Sequence, residues 1–200
     1  MLTPRERASV SELEFASPVH IGPLAAPDGG LTLADAGSTT KILVRAGPDT
    51  AAATTLAVPY GQSRQSDDGI LICGSRPDEW TLYAPAGQSA QVTASVPTNG
   101  FVTVIDLTHG RAMIRMSGPS SVAALAKICN IDLADDMVPA GAVFSAAVAG
   151  VSCDLVRDDR DGQRSYLLSC ERSFGRYLFV ALADAGIEFG IDVPEGWTLH

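Results

Sequence analysis

The chain has little charge and no long apolar run. Only 18% of its 200 residues are charged, while 46% are hydrophobic, and the formal net charge is −9. The longest apolar stretch, residues 140–151, falls well short of the roughly 20 residues that a membrane-spanning helix needs. The opening MLTPRERASVSELE has no apolar segment, so it does not read as a secretory signal, and a soluble cytoplasmic protein without a membrane partner is expected. Basic clusters are missing too. Arg5 and Arg7 are interrupted by Glu6, and with the acidic balance this argues against a nucleic-acid partner.

Motifs for bound groups are equally scarce. Cys73, Cys129, Cys153 and Cys170 are far apart and form no CxxC, so neither a zinc knuckle nor a redox dithiol is expected; buried, reduced thiols are. The three histidines, His20, His109 and His200, are dispersed and lack paired acidic ligands for a metal. There is no GxGxxG after a strand and no GxxxxGK[ST], so no nucleotide site is expected. Asp158–Gly162 lacks the spaced acidic ligands of a calcium loop and reads as a solvated hairpin turn.

What is present is enough apolar material for one real core. Residues 1–30 differ from the rest: Thr3-Pro4-Arg5-Glu6 is a helix start, and Pro18, Gly22, Pro23, Pro27, Gly29 and Gly30 then prevent regular structure. This reads as an extended arm laid along a partner subunit, because Phe15, Val19, Ile21 and Leu24 would otherwise be poorly covered. Residues 31–191 read as one α+β domain of two pseudo-repeated, β-rich halves, 31–100 and 101–191, with helices packed on the sheets; residues 192–200 are a tail.

The repeat lies in two strand–Gly-Pro–helix units. KILVR at 41–45 precedes Gly47-Pro48 and a helix over 49–57; AMIRM at 112–116 precedes Gly118-Pro119 and a helix over 120–129. In the second helix Val122, Leu125, Ala126 and Cys129 would form one buried face. Further strands are expected at 70–73, 80–83, 142–149, 151–156 and 166–170. Ser173 would cap a closing helix whose stripe runs Phe174, Tyr177, Leu178, Ala181, Leu182, Ala185, with Gly186 ending it.

Candidate site residues are few. Asp106 and His109 suggest an acid–base pair, but they could meet only across a turn at 108–110, and no third group is near in sequence, so no catalytic residue is assigned. Arg111, Arg115 and Arg172 sit in apolar segments, where their stems can cover the sheet or their forks can pair with carboxylates of a neighbouring subunit. Phe174 belongs to a core stripe; Trp80 is open between core anchor and hot spot; Trp197, in the Pro/Gly-flanked tail, is the better interface candidate. The partner-interface set is therefore His109, Arg111, Arg115, Arg172 and Trp197.

The run Asp106-Leu107-Thr108-His109-Gly110-Arg111, then Ile114-Arg115-Met116-Ser117-Gly118-Pro119, resembles the gamma subunits of heterotetrameric sarcosine oxidases. The likeness continues through Leu125-Ala126-Lys127, Asp132-Leu133, Gly141-Ala142, Arg172-Ser173-Phe174 and Glu188-Phe189-Gly190, with Pro77-Asp78-Glu79-Trp80 in the first half. The resemblance implies a fold like the folate-binding domain of the glycine-cleavage aminomethyltransferase. It also implies a non-catalytic place beside alpha, beta and delta subunits. Such a complex demethylates sarcosine to glycine, releases hydrogen peroxide and, with tetrahydrofolate, forms 5,10-methylenetetrahydrofolate. Its FAD, FMN, NAD and zinc lie on the other subunits, and this chain would bind no cofactor. The rival reading is a free-standing folate-binding one-carbon transferase or folate-sensing module. A pterin would need an acidic residue in a concave apolar site, with Asp78, Glu79 and Glu188 available in principle.

Overall fold

A computed structural model describes residues 15–19 and 21–196. Its strands are β1 (Leu24–Ala25), β2 (Thr32–Asp35), β3 (Thr40–Ala46), β4 (Ser63–Gln65), β5 (Leu71–Arg76), β6 (Glu79–Ala84), β7 (Val102–Asp106), β8 (Arg111–Ser117), β9 (Val143–Val148), β10 (Val151–Arg157) and β11 (Ser165–Glu171). The helices are α1 (Ala51–Leu56), α2 (Ser89–Ser95), α3 (Ser121–Ala126) and α4 (Gly175–Gly186). The strands form two antiparallel sheets, one ordered β1-β2-β8-β11-β10-β9 and the other β4-β5-β6-β3-β7. The helix start expected at Thr3-Pro4-Arg5-Glu6 lies outside the described residues.

Strand alternation sorts the side chains into four layers, because successive residues point to opposite sheet faces. In the smaller sheet Ile42, Val44, Ala46, Trp80 and Leu82 pack on Ala52 and Leu56 of α1 and Val92 and Val96 of α2. In the larger sheet Leu33, Ile114, Met116, Leu155 and Leu168 pack on Leu125 of α3 and Leu178, Phe179 and Leu182 of α4. The inner faces meet through Leu71, Cys73 and Tyr83 from one sheet and Met113, Val143, Val156 and Leu167 from the other. The order is helices, sheet, sheet, helices. Trp80 is a core anchor: it is buried, and its Nε1 donates to Val58 O at 2.9 Å.

The two strand–Gly-Pro–helix units recur as expected, but the halves exchange strands. β2 pairs with β8, matching Leu33 to Met116, while β7 pairs with β3, matching Val104 to Val44. Each half thus completes the sheet of the other, and neither can close alone. Hydrophobic periodicity is blind to this, because pairing partners are chosen by tertiary packing.

Three local expectations are corrected. Val19 is fully buried, with Ile21 and Leu24 packed against the same core, so this chain covers the apolar residues assigned to a partner. Of the stripe expected on α3, Leu125 and Cys129 are buried and Val122 packs against the same core, but Ala126 is exposed, and Ser121 and Ala124 are buried instead. Phe174 and Tyr177 are exposed, at 50% and 44%: Phe174 belongs to a 3-10 turn over 172–174 ahead of α4, and Tyr177 lies on the outer side of α4, its hydroxyl donating to Ala149 O at 3.1 Å. α4 ends at Gly186 as expected, and a second 3-10 turn follows it, closed by Gly190 at φ 85°.

Tyr166 sits in the middle of the larger core, fully buried, with its hydroxyl unpartnered among the described residues. An unsatisfied buried hydroxyl costs about 1–3 kcal/mol. Tyr166→Phe is therefore expected to be neutral or stabilising by about 1 kcal/mol in urea unfolding, whereas a hidden partner would make it a loss.

Candidate functional site

β8 controls the candidate site, because alternate residues of Arg111–Ser117 face opposite ways. Ala112, Ile114 and Met116 enter the larger core, leaving Arg111, Met113 and Arg115 on the inner face between the sheets. Met113 takes the apolar centre. The two arginines flank it, and each finds carboxylate and hydroxyl partners in its own sheet.

Arg111 is at the end facing Lys41. Its Nη2 donates to Asp154 Oδ2 at 2.5 Å and to Ser169 O at 3.1 Å, its Nη1 to Glu171 Oε1 at 3.2 Å, and its Nε to Ser169 Oγ at 3.3 Å. Asp154 also accepts from Ser145 Oγ at 2.9 Å. Arg111, Asp154 and Ser169, with Lys41, Glu79, Thr81 and Tyr83, line a cleft of about 160 Å³. Arg115 is at the opposite end, donating to Asp158 Oδ2 and Ser165 Oγ, both at 2.7 Å. Burial pulls its guanidinium below the ordinary value and Asp158 opposes this. The second cleft, beside Arg115, holds about 290 Å³. Both fall below the roughly 300–1,000 Å³ usual for cofactor pockets.

Lys41 is the least expected member, a lysine 1% exposed. Its Nζ donates to Gly37 O and Thr39 O, both at 2.8 Å, and to Thr108 O at 3.3 Å. Burial pulls its pKa down to about 8, with Asp35 and Asp106 opposing. Unfolding restores the ordinary value near 10.5, so between pH 8 and 10.5 the unfolded chain binds more protons and stability from this residue rises with pH. The urea midpoint of the wild type, measured relative to Lys41→Met, should climb through that window. A pH-independent difference would contradict the assignment.

Asp106 and His109 do not form a catalytic pair. Asp106 ends β7, and its Oδ1 accepts from Thr108 N at 2.8 Å, closing the turn. Burial raises its pKa, but the Thr108 and Ser89 bonds and the His109 charge outweigh that and hold the carboxyl low. Thr108 in turn accepts from Lys41 N at 3.0 Å, tying the turn to β3. His109 is exposed, and its ring lies 4.2 Å from that of Phe15, tilted by 32°. The Arg172 guanidinium sits 4.8 Å from the same Phe15 ring and donates to Ala16 O at 2.5 Å. Thus His109 and Arg172 come together through Phe15, Arg111 and Arg115 stand apart along β8, and Trp197 lies outside the described residues.

The possible pterin carboxylates do not share a cavity. Glu79 is buried in the first cleft, held by Arg76 and by Arg45 at 3.6 Å. Asp78 pairs with Arg45, also at 3.6 Å, and Glu188 with Lys127 at 3.0 Å. Each is already held by a cation of this chain, so the three do not fit a pterin's amino-pyrimidine edge. Sequence reasoning missed Lys41, Asp154, Ser165 and Ser169. The available signal was Arg111 and Arg115 four apart on one strand, answered by Lys41 in the apolar strand β3 and Asp154 in β10.

The GCVT N-terminal domain model matches residues 35–196, most of the chain. The chain belongs to the GCVT N-terminal domain family. Within that family it is similar to the sarcosine oxidase subunit gamma of Corynebacterium sp. (strain P-1), 28% identical over 171 residues, 80% of this chain and 82% of that protein. The corresponding Arthrobacter sp. subunit is 25% identical over 170 residues, with the same coverage of both chains. Among solved structures, a chain of the heterotetrameric sarcosine oxidase from Corynebacterium sp. U-96 shares the fold, at TM-score 0.71 and 23% identity over 86% of this chain and 91% of that one. The glycine cleavage system aminomethyltransferase T from Bartonella henselae shares it at TM-score 0.61 and 18% identity, over 75% of this chain and 44% of that one. The GCVT fold expected from the resemblance is thus the fold observed: α+β, with two related sheets and helices outside them.

Proposed function

We propose that this chain is the gamma subunit of a heterotetrameric sarcosine oxidase and serves as a scaffold for catalytic chains. The observation that carries this reading is correspondence over most of both chains: 80% of the chain aligns with 82% of a protein named sarcosine oxidase subunit gamma. The inner layer supports it, since Arg111, Arg115 and Lys41 are engaged by partners within the chain. On this reading the assembly demethylates sarcosine oxidatively to glycine and releases peroxide, with tetrahydrofolate capturing the one-carbon unit. Alpha, beta and delta subunits bind the flavins, NAD and zinc. The gamma chain contributes apolar and aromatic contact area, for which exposed Phe174 and Tyr177 and the His109–Phe15–Arg172 stack are candidates.

The test is to purify the chain alone and with its native assembly. Alone, it should show no flavin absorbance and no sarcosine-dependent peroxide; tagged in its native cell, it should recover a flavoprotein that has both. Turnover by the isolated chain, or recovery of the chain without companions, would overturn the reading.

A further inference from the structure

Four cysteines without a local motif gave no expectation of redox chemistry, but the hairpin of β10 and β11 brings two of them face to face. Asp154 stands opposite Ser169 and Leu155 opposite Leu168, so one further step in register sets Cys153 opposite Cys170. The ladder's alternation decides which kind of pair this is. Asp158 N donates to Ser165 O on the β11 side, whereas Arg157 N donates to Ala142 O on the β9 side. Even-numbered residues of this strand therefore hold the bonds to β11, and Cys153 occupies a non-hydrogen-bonded position. Facing Cα atoms there lie about 4.5 Å apart, within the span that a disulfide bridges. Both side chains point into the α3/α4 core, each 1% exposed, and each thiol donates to a nearby backbone carbonyl at 3.4 Å, Cys153 to Val151 O and Cys170 to Glu171 O.

We propose that Cys153 and Cys170 are a redox-active pair that closes a cross-strand disulfide when hydrogen peroxide reaches it. The two thiols are unequal. The neighbouring Cys153 thiol favours the Cys170 thiolate against burial, helped by the Arg111 charge, whereas the neighbouring Cys170 and burial push Cys153 up. Cys170, the thiol whose anion is the more favoured, is the first to react. Its thiolate attacks one peroxide oxygen, the O–O bond breaks, and the sulfur becomes a sulfenic acid as hydroxide leaves. The Cys153 sulfur then attacks the Cys170 sulfur, the S–O bond breaks, and water departs with the Cys153 proton. The hydroxide takes up the proton that Cys170 lost. In sum, two thiols and one peroxide yield one disulfide and two waters, and the pair supplies two electrons. The pair's chemistry stands on this geometry alone; only an enzymatic source of peroxide rests on the sarcosine-oxidase reading.

The full chain, folded and without sarcosine, is treated with hydrogen peroxide, and free thiols are alkylated after denaturation. Non-reducing peptide mapping should show the Cys153 and Cys170 peptides linked, lighter by two hydrogens and separated by dithiothreitol, with Cys73 and Cys129 alkylated. In Cys153→Ser the reaction should stop at the sulfenic acid, trapped by dimedone on Cys170. Four free thiols after treatment, or links to Cys73 or Cys129 in equal yield, would overturn the proposal; wild-type mapping decides it even if the variant does not fold. A second arm replaces added peroxide with sarcosine in the native assembly. Linkage by added peroxide without linkage by sarcosine keeps the pair and counts against the parent reaction.

Discussion

Gly118→Ala is expected to cost about 3 kcal/mol or more, combining backbone strain with a steric overlap that cannot relax cheaply. Gly118 has φ 113°, and a Cβ there would lie 2.5 Å from Gly30 O and 2.9 Å from Gly30 C. The Gly30 carbonyl is not free to retreat, because it accepts from Ser120 N at 2.9 Å at the start of α3. The turn itself is pinned by Gly118 N donating to Arg164 O, also at 2.9 Å. At roughly 2–4 °C per kcal/mol for a chain of this size, the thermal midpoint should fall by about 6–12 °C. Gly69→Ala is the control: φ is 78° but the space around it is open, so only the backbone cost of about 1–2 kcal/mol is expected. Equal losses in the two variants would show that the contact with Gly30 is not what matters.

Arg111→Ala should destabilise the isolated chain by about 2–3 kcal/mol. The side chain is four-fifths shielded and bonds two carboxylates, a hydroxyl and a carbonyl, so its removal orphans several inner-layer groups together. Asp154 and Glu171 are partly exposed and water can recover them, which keeps the loss below that of a fully buried pair. The measurement separates two roles. A residue whose only task is to meet a partner subunit would change the isolated chain's stability by no more than about 0.5 kcal/mol. A double-mutant cycle with Asp154→Ala should return a coupling of about 1 kcal/mol or more, whereas additive losses would count against the pairing.

Much of the fold is legible in the sequence where the signal is local. β3 and β8 lie where KILVR and AMIRM place them, and both Gly-Pro units lead into α1 and α3. Asp161 and Gly162 both take positive φ, at 53° and 74°, as a tight two-residue hairpin turn requires. Local reading failed where a small rotation changes the face presented. The 3-10 turn at 172–174 holds Phe174 outside the stripe of α4, Tyr177 turns outward on α4, and in α3 Ala124 is buried where Ala126 was expected. The site was harder still. Arg111 and Arg115 stand out in the sequence, but their partners Asp154 and Asp158 lie about forty residues away, on the far side of a strand.

By itself the sequence determined the longer apolar strands and three of the helices, but not β1, β2, β4, β7 or α2, together with the repeated strand–turn–helix unit and the family likeness, because these depend on residue type and short spacing. Only the tertiary structure decided that β2 and β7 change sheets, that Lys41 is buried among carbonyls, and that residues 15–19 lie on their own domain. It alone set Cys153 beside Cys170. Those outcomes depend on which strands pair and in what register. Pairing is selected by the sum of core burial and inner-layer hydrogen bonds over the whole chain, a quantity that no local window contains.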